Sequence, residues 1–182
     1  DAGSDDGTWE ELLLWSDIED KLSINQHKID WNNDRFAYDS DGLQKARARK
    51  LCRGEWCWQS DVDEIVKEKD FNKVRELIKS LPEDLDILCL PVIEYWGSKG
   101  KIRVDVNPWK WRLSRNKSTI THGIPLKLRR YDEKGNLYAA EGTDGCNYIH
   151  SETYEILPAA TFYSQEIENI RQAANTGEQQ FL

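Results

Sequence analysis

Hydrophobic and polar positions along this chain fall into short helical and extended stretches that alternate. Thr8-Trp9-Glu10-Glu11 has the spacing of a capping box, with Thr8 capping and Glu11 reaching back, and Leu12, Leu13 and Trp15 follow as the face such a helix would bury. From Lys21 to Trp31 the apolar positions, Ile24 and Ile29 among them, are loosely spaced as in an extended segment. Polar residues from Asn32 to Gly42 predict a loop, and Leu43 to Leu51 a helix with a basic face. Trp56 to Gln59 predicts a short strand. Phe71, Val74, Leu77 and Ile78 recur at helical spacing and predict a core-packing stripe.

The second half of the chain is richer in strand patterns. Ile87 to Tyr95 is an almost unbroken apolar run, as expected of a buried central strand. Short β-like pieces follow, including Ile102-Arg103-Val104 and Trp109 to Leu113, and a polar turn from Tyr131 to Asn136 precedes Leu137 to Ala140. Gln165 to Ala174 predicts a last helix leading into a polar tail. This order predicts an α/β fold with a mixed sheet: one domain over residues 1–164, and a C-terminal helix and tail over 165–182.

Composition bounds what such a domain does. With 182 residues, 38% of them hydrophobic, the chain has enough material for one large core. A net charge of -8 disfavours a nucleic-acid partner, because phosphate backbones select basic faces; Lys45 to Lys50 and Lys127 to Arg130 are local exceptions. No apolar run is long enough to span a bilayer, and no secretory leader is legible. Cys52, Cys57, Cys89 and Cys146 lack C-x-x-C spacing and lie in or beside apolar segments, which predicts buried thiols in a reduced, cytoplasmic setting. The chain contains no Met and opens on what reads as a loop following a strand, so residue 1 is expected to lie inside a domain.

Candidate chemistry centres on carboxylates. The D-x-D pattern occurs at Asp39 and Asp41, at Asp61 and Asp63, and at Asp84 and Asp86. Asp41 adjoins Gly42 ahead of a helical pattern, as a turn or N-cap would, and Asp84 and Asp86 follow Leu81-Pro82-Glu83 in a loop. Asp61 and Asp63 alone emerge from an apolar aromatic strand. On an extended strand, residues i and i+2 share a face, so this pair could hold one divalent cation with positions left open for diphosphate oxygens. A plain strand-end turn is the competing reading.

Two motifs together carry a resemblance. Asp1-Ala2-Gly3-Ser4-Asp5-Asp6-Gly7-Thr8 resembles the D-x-G-S-x-D-G-T loop of family 2 glycosyltransferases, and Asp61-Val62-Asp63-Glu64 is similar to the D-x-D-E signature that follows it in the GT-A fold. The likeness covers residues 1–66 well and the remainder loosely. It implies a Rossmann-like mixed sheet flanked by helices, lacking its first strand-helix unit. It also implies metal-dependent, inverting transfer of a sugar from a nucleotide-diphosphate donor to a hydroxyl acceptor. By that resemblance Asp1 contacts the nucleotide base, Ser4 and Asp6 shape the loop, Asp61 contacts ribose or sugar, and Asp63 ligates Mn²⁺ or Mg²⁺.

Transfer also needs a carboxylate base opposite the diphosphate, to take the acceptor hydroxyl's proton. The Gly-flanked acidic loop Glu141-Gly142-Thr143-Asp144-Gly145 offers Asp144 first and Glu141 second, with a surface turn as the alternative. His122, in a Thr-His-Gly turn, or His150 could join the metal shell as some GT-A histidines do, or each could be a hydrogen-bonded structural residue. Trp96, Trp109 and Trp111 could stack on acceptor sugar faces or simply pack in a β-rich region. Arg112, Arg129 and Arg130 could offset diphosphate or acidic-sugar charge, or sit in ordinary pairs. The tryptophans alone also support a non-catalytic carbohydrate-binding module. A nucleotidyltransferase would use similar acids, but its Gly-rich phosphate loop is missing from the sequence. The first loop has the wrong spacing for an EF-hand.

Overall fold

The computed structural model describes residues 1–29, 34–140, 147–161 and 172, with the backbone alone at 34–41 and 161. Its helices are α1 (Thr8–Ile18), α2 (Asp34–Leu51) and α3 (Phe71–Ser80). Its strands are β1 (Trp56–Trp58), β2 (Ile87–Pro91), β3 (Tyr95–Trp96), β4 (Ser98–Ile102), β5 (Trp109–Arg115), β6 (Ile120–Gly123), β7 (Arg129–Tyr131), β8 (Leu137–Ala139), β9 (Asn147–His150) and β10 (Ala160–Thr161). The chain divides into two compact units: Asp1–Glu55 with Asn116–Leu157, and Trp56–Arg115 with the described residues from Pro158 onward. Apart from residue 172, the predicted helix and tail of 165–182 lie outside the described residues.

The second unit is built on a four-stranded sheet in the order β1-β5-β2-β10. β5 runs antiparallel to both of its neighbours, and β10 runs parallel to β2. β2 is buried from Ile87 to Leu90, because it is an interior strand with both faces covered. Leu88, Leu90 and Leu113 form its core, against which Val74, Leu77 and Ile78 of α3 pack together with Trp56, Leu81 and Leu85. The helical spacing of that stripe is what turns one face of α3 to the sheet; Phe71, at its start, is exposed. The apolar run Ile87 to Tyr95 does not continue as one strand. Pro91 and Pro108 each bring no N–H to the ladder, which ends after a bond from Val92 N–H to the Pro108 carbonyl at 2.8 Å. Tyr95 and Trp96 then belong to a separate hairpin with β4.

In the first unit, β6 pairs with β9 and β7 with β8, both antiparallel. Ile120, Ile124, Ala139, Tyr148 and Ile149 are buried there, and α2 packs against β6 and β8. The β7–β8 turn forms where its polar residues predict it, with Asp132 Oδ1 accepting from the N–H groups of Lys134 (2.9 Å) and Asn136 (2.7 Å). Two helices differ from expectation. α2 begins at Asp34 and runs through a buried Gly42, so Asp39 and Asp41 lie inside a helix rather than in a turn or cap. Packing there overrides the breaker preference of a single glycine.

α1 begins at Thr8, with Gly7 at its cap and no side-chain cap bond, so the predicted capping box does not form. Asp6 instead accepts from the Thr8 N–H at 3.1 Å and the Thr8 hydroxyl at 2.6 Å, and Glu11 accepts from Trp15 Nε1 at 2.9 Å. No α1 residue is buried, and Leu13 and Trp15, expected on a buried face, are exposed. Cys52 is exposed as well, whereas Cys57 and Cys89 are buried thiols as expected. Cys146 lies outside the described residues.

Candidate functional site

The Asp61–Glu64 segment of the second unit is a turn closed on itself. β1 ends at Trp58, and the Gln59 N–H makes a last bond to the Arg112 carbonyl of β5 at 2.8 Å. The Glu64 N–H then returns to the Asp61 carbonyl at 3.0 Å, and the Asp61 N–H donates to Glu64 Oε2 at 3.2 Å. The Ser60 hydroxyl adds longer bonds to the carbonyls of Asp61 and Glu64, at 3.3 and 3.4 Å. The alternation of an extended strand is therefore not what positions Asp61 and Asp63.

Arg112 organises this turn from the neighbouring strand. Its Nη2 donates to Asp61 Oδ2 at 3.1 Å and to Glu64 Oε1. Arg112 is only 9% exposed, and its Nε is buried without a hydrogen-bond partner among the described residues. Two carboxylates, those of Asp61 and Glu64, thus share one guanidinium. Asp63 is exposed, flanked by exposed Val62 and Ile65. Among the described residues no group of three or more His, Cys, Asp and Glu side chains is arranged to hold a metal. Asp63 is thus one exposed carboxylate, and its neighbour Asp61 is shared with Arg112. The pair does not make a closed protein cage.

The Asp1 loop belongs to the first unit and is held by its own side chains. Asp1 Oδ1 accepts from the Gly3 N–H (2.9 Å), the Ser4 N–H (3.2 Å) and Gln26 Nε2 (2.9 Å), and Asp1 Oδ2 accepts from the Ser4 hydroxyl (2.5 Å). Those bonds use about the full lone-pair capacity of a carboxylate. The loop also needs Gly3: its φ is 102°, and a Cβ there would lie 3.1 Å from the Lys28 side chain. Edge bonds from His27 N–H to the Asp1 carbonyl and from Ile29 N–H to that of Ala2, both 2.9 Å, tie the loop to the extended segment after α1. The Thr8 hydroxyl, followed by its N–H, holds the Asp6 carboxyl below the ordinary aspartate value.

His122 lies on β6 opposite Tyr148, with ring centroids 4.3 Å apart. Burial, and then the charges of Arg49 and Lys45, push its pKa down to about 3, so the imidazole is neutral near pH 7. His150 accepts from the N–H groups of Glu152 and Thr153 through Nδ1, both at 3.3 Å. Glu141 and Asp144 lie outside the described residues.

The three candidate tryptophans occupy different settings. Trp109 and Trp111 are half-buried in β5, opposite Pro91 and Cys89 of β2, whereas Trp96 is 65% exposed. Arg129 donates from Nε to the Ile124 carbonyl at 3.0 Å and lies 3.9 Å over the Tyr154 ring, while Arg130 donates to the carbonyls of Lys127 and Arg129. The residue that sequence reasoning left without a role is Glu64. Its partner Arg112 is 48 residues away, and only the β1–β5 pairing brings the two together. Among the described residues no helix is long and apolar enough to cross a membrane. No protein-family model, curated protein or solved structure matches this chain.

Proposed function

We propose that this chain is a metal-dependent glycosyltransferase with a GT-A-type fold, moving a sugar from a nucleotide-diphosphate donor to a hydroxyl acceptor. The observation that carries the reading is the turn after β1, where Asp63 is exposed while Arg112 holds Asp61 and Glu64. A sheet edge that presents one available carboxylate beside a half-neutralised one suits a ligand bearing its own phosphates. In this reading Asp63, with Asp61 alongside, would hold Mn²⁺ or Mg²⁺, which when bound supplies Lewis-acid neutralisation of the departing diphosphate. Arg112 keeps the turn in shape and limits its excess negative charge, which would otherwise repel that diphosphate. The ordered Asp1–Thr8 loop would receive the nucleotide, and Asp144 or Glu141 would take the acceptor proton. A cytoplasmic setting is supported by the thiols Cys52, Cys57 and Cys89.

A carbohydrate-binding module without catalysis is the second reading, favoured by the exposed Trp96. Calorimetry with UDP and GDP, with and without Mn²⁺, on the wild type and Asp63→Ala separates the two. Metal-dependent nucleotide binding that the substitution abolishes supports the transferase. Saccharide binding indifferent to metal and to Asp63→Ala, with no nucleotide binding, overturns it.

A further inference from the structure

The β3–β4 hairpin carries an aromatic and cationic surface. Every residue from Tyr95 to Lys101 is exposed, with Trp96 at 65% and Tyr95 at 50%. An indole is an apolar body that normally gains by burial, so Trp96, exposed beside the hairpin reversal, is a surface with something to cover. The hairpin register steps from Tyr95 opposite Ile102 to Trp96 opposite Ser98, which leaves Lys99, Gly100 and Lys101 with no residue across from them. Gly97, at φ 69°, makes the reversal, and the space about Gly100 is open.

The charges on this hairpin are sorted. Arg103 lies 5.3 Å over the Trp96 ring and is itself held by Asp105, from Nε to Oδ1 at 3.1 Å and Nη2 to Oδ2 at 2.8 Å. Arg103 therefore fixes the indole rather than offering a free charge. Glu94 at the hairpin base is engaged by Lys110 at 2.9 Å and by Arg103 at 3.8 Å. Lys99 and Lys101, by contrast, pair with no acid among the described residues, and the stretch Tyr95 to Val104 contains no Asp or Glu in a chain of net charge -8.

We propose that this hairpin binds an anionic saccharide, with Trp96 stacking on the sugar ring and Lys99 and Lys101 receiving its carboxylates or sulfates. An anchored ring beside two uncompensated cations matches a ligand that is apolar on its ring face and negative at its rim. A nucleic-acid strand has similar chemistry, but the acidic remainder of the chain opposes a continuous phosphate backbone. The inference rests on the transferase reading for its role, since it names the acceptor class, and on the hairpin alone for the binding.

Tryptophan fluorescence titrations with oligogalacturonate and with neutral dextran oligomers of equal length, at low and high salt, test it. The wild type is expected to bind the uronate and not the dextran, with affinity that falls as salt rises. Trp96→Ala, followed by calorimetry because it removes the reporter ring, and the pair Lys99→Ala with Lys101→Ala should each weaken binding about tenfold, or about 1.4 kcal/mol. Lys99→Arg with Lys101→Arg should retain it. Equal binding of dextran, or tighter binding of a single-stranded oligonucleotide or of phosphatidylglycerol vesicles, overturns the proposal. Metal-dependent UDP binding is measured on the same proteins. If it persists while uronate binding is absent, the saccharide inference fails alone; if uronate binds and UDP does not, the transferase reading fails alone.

Discussion

Arg112 Nη2 donates to Asp61 Oδ2 at 3.1 Å across 51 residues of sequence, and the same nitrogen reaches Glu64. A side chain of β5 thereby closes the turn that follows β1. Arg112→Ala would leave Asp61 and Glu64 facing each other without a counter-charge. Because both acids retain solvent contact, the expected loss is about 1–3 kcal/mol, less than for a fully buried pair. Urea denaturation measures it. Arg112→Lys should fall between, since an ammonium keeps the charge but not the planar fork. An unchanged midpoint in Arg112→Ala would show that the contacts do not hold the turn.

His122 makes stability depend on pH. Its folded pKa is about 3 against an ordinary 6.5, so between those values the unfolded chain binds a proton that the folded chain does not. Stability is therefore fully present above about pH 6.5 and declines as pH falls toward about 3. Between about pH 6.5 and about pH 5, where few carboxylates titrate, the wild type should lose about 1–2 kcal/mol more than His122→Gln. Coincident slopes for the two proteins would contradict a neutral, buried imidazole.

Asp6 does the capping work that sequence pattern assigned to Thr8. Asp6→Ala should accelerate amide exchange of Thr8 and the residues after it in the first turn of α1, whereas Asp6→Asn, which keeps an acceptor, should do so less. With the folded carboxyl below its ordinary value of 3.8, protection from this contact is present above that pH and lost as pH falls through the folded value. Exchange rates identical in all three proteins would remove Asp6 from the cap.

Leu113 is 1% exposed and lies in the Leu88, Leu90 and Leu113 cluster of the second unit. Leu113→Ala should cost about 2–5 kcal/mol, from lost burial and an incompletely collapsed cavity. Thermal or urea unfolding gives the value. Phe71→Ala, on the same α3 stripe but exposed, should change stability by less than about 1 kcal/mol. Similar losses for the two would mean that the α3 stripe packs differently.

Sequence by itself determined the local features of this protein. The spacing of Val74, Leu77 and Ile78 specified one face of α3, the apolar run from Ile87 specified a buried strand, and the polar turn at Asp132 specified the β7–β8 connection. Asp61 and Asp63 were legible as the acidic pair that leaves a strand. These are short-range properties, carried by periodicity and turn chemistry.

Only the tertiary structure decided the rest. It set the length of α2, where packing outweighed Gly42, and left Leu13, Leu14, Trp15 and Ile18 of α1 exposed, because amphipathic spacing does not supply a partner. It converted an expected extended pair into a turn, and joined Arg112 to Asp61 and Glu64. That last relationship depends on strand register, which is a match between distant segments and leaves no trace in the spacing of either one.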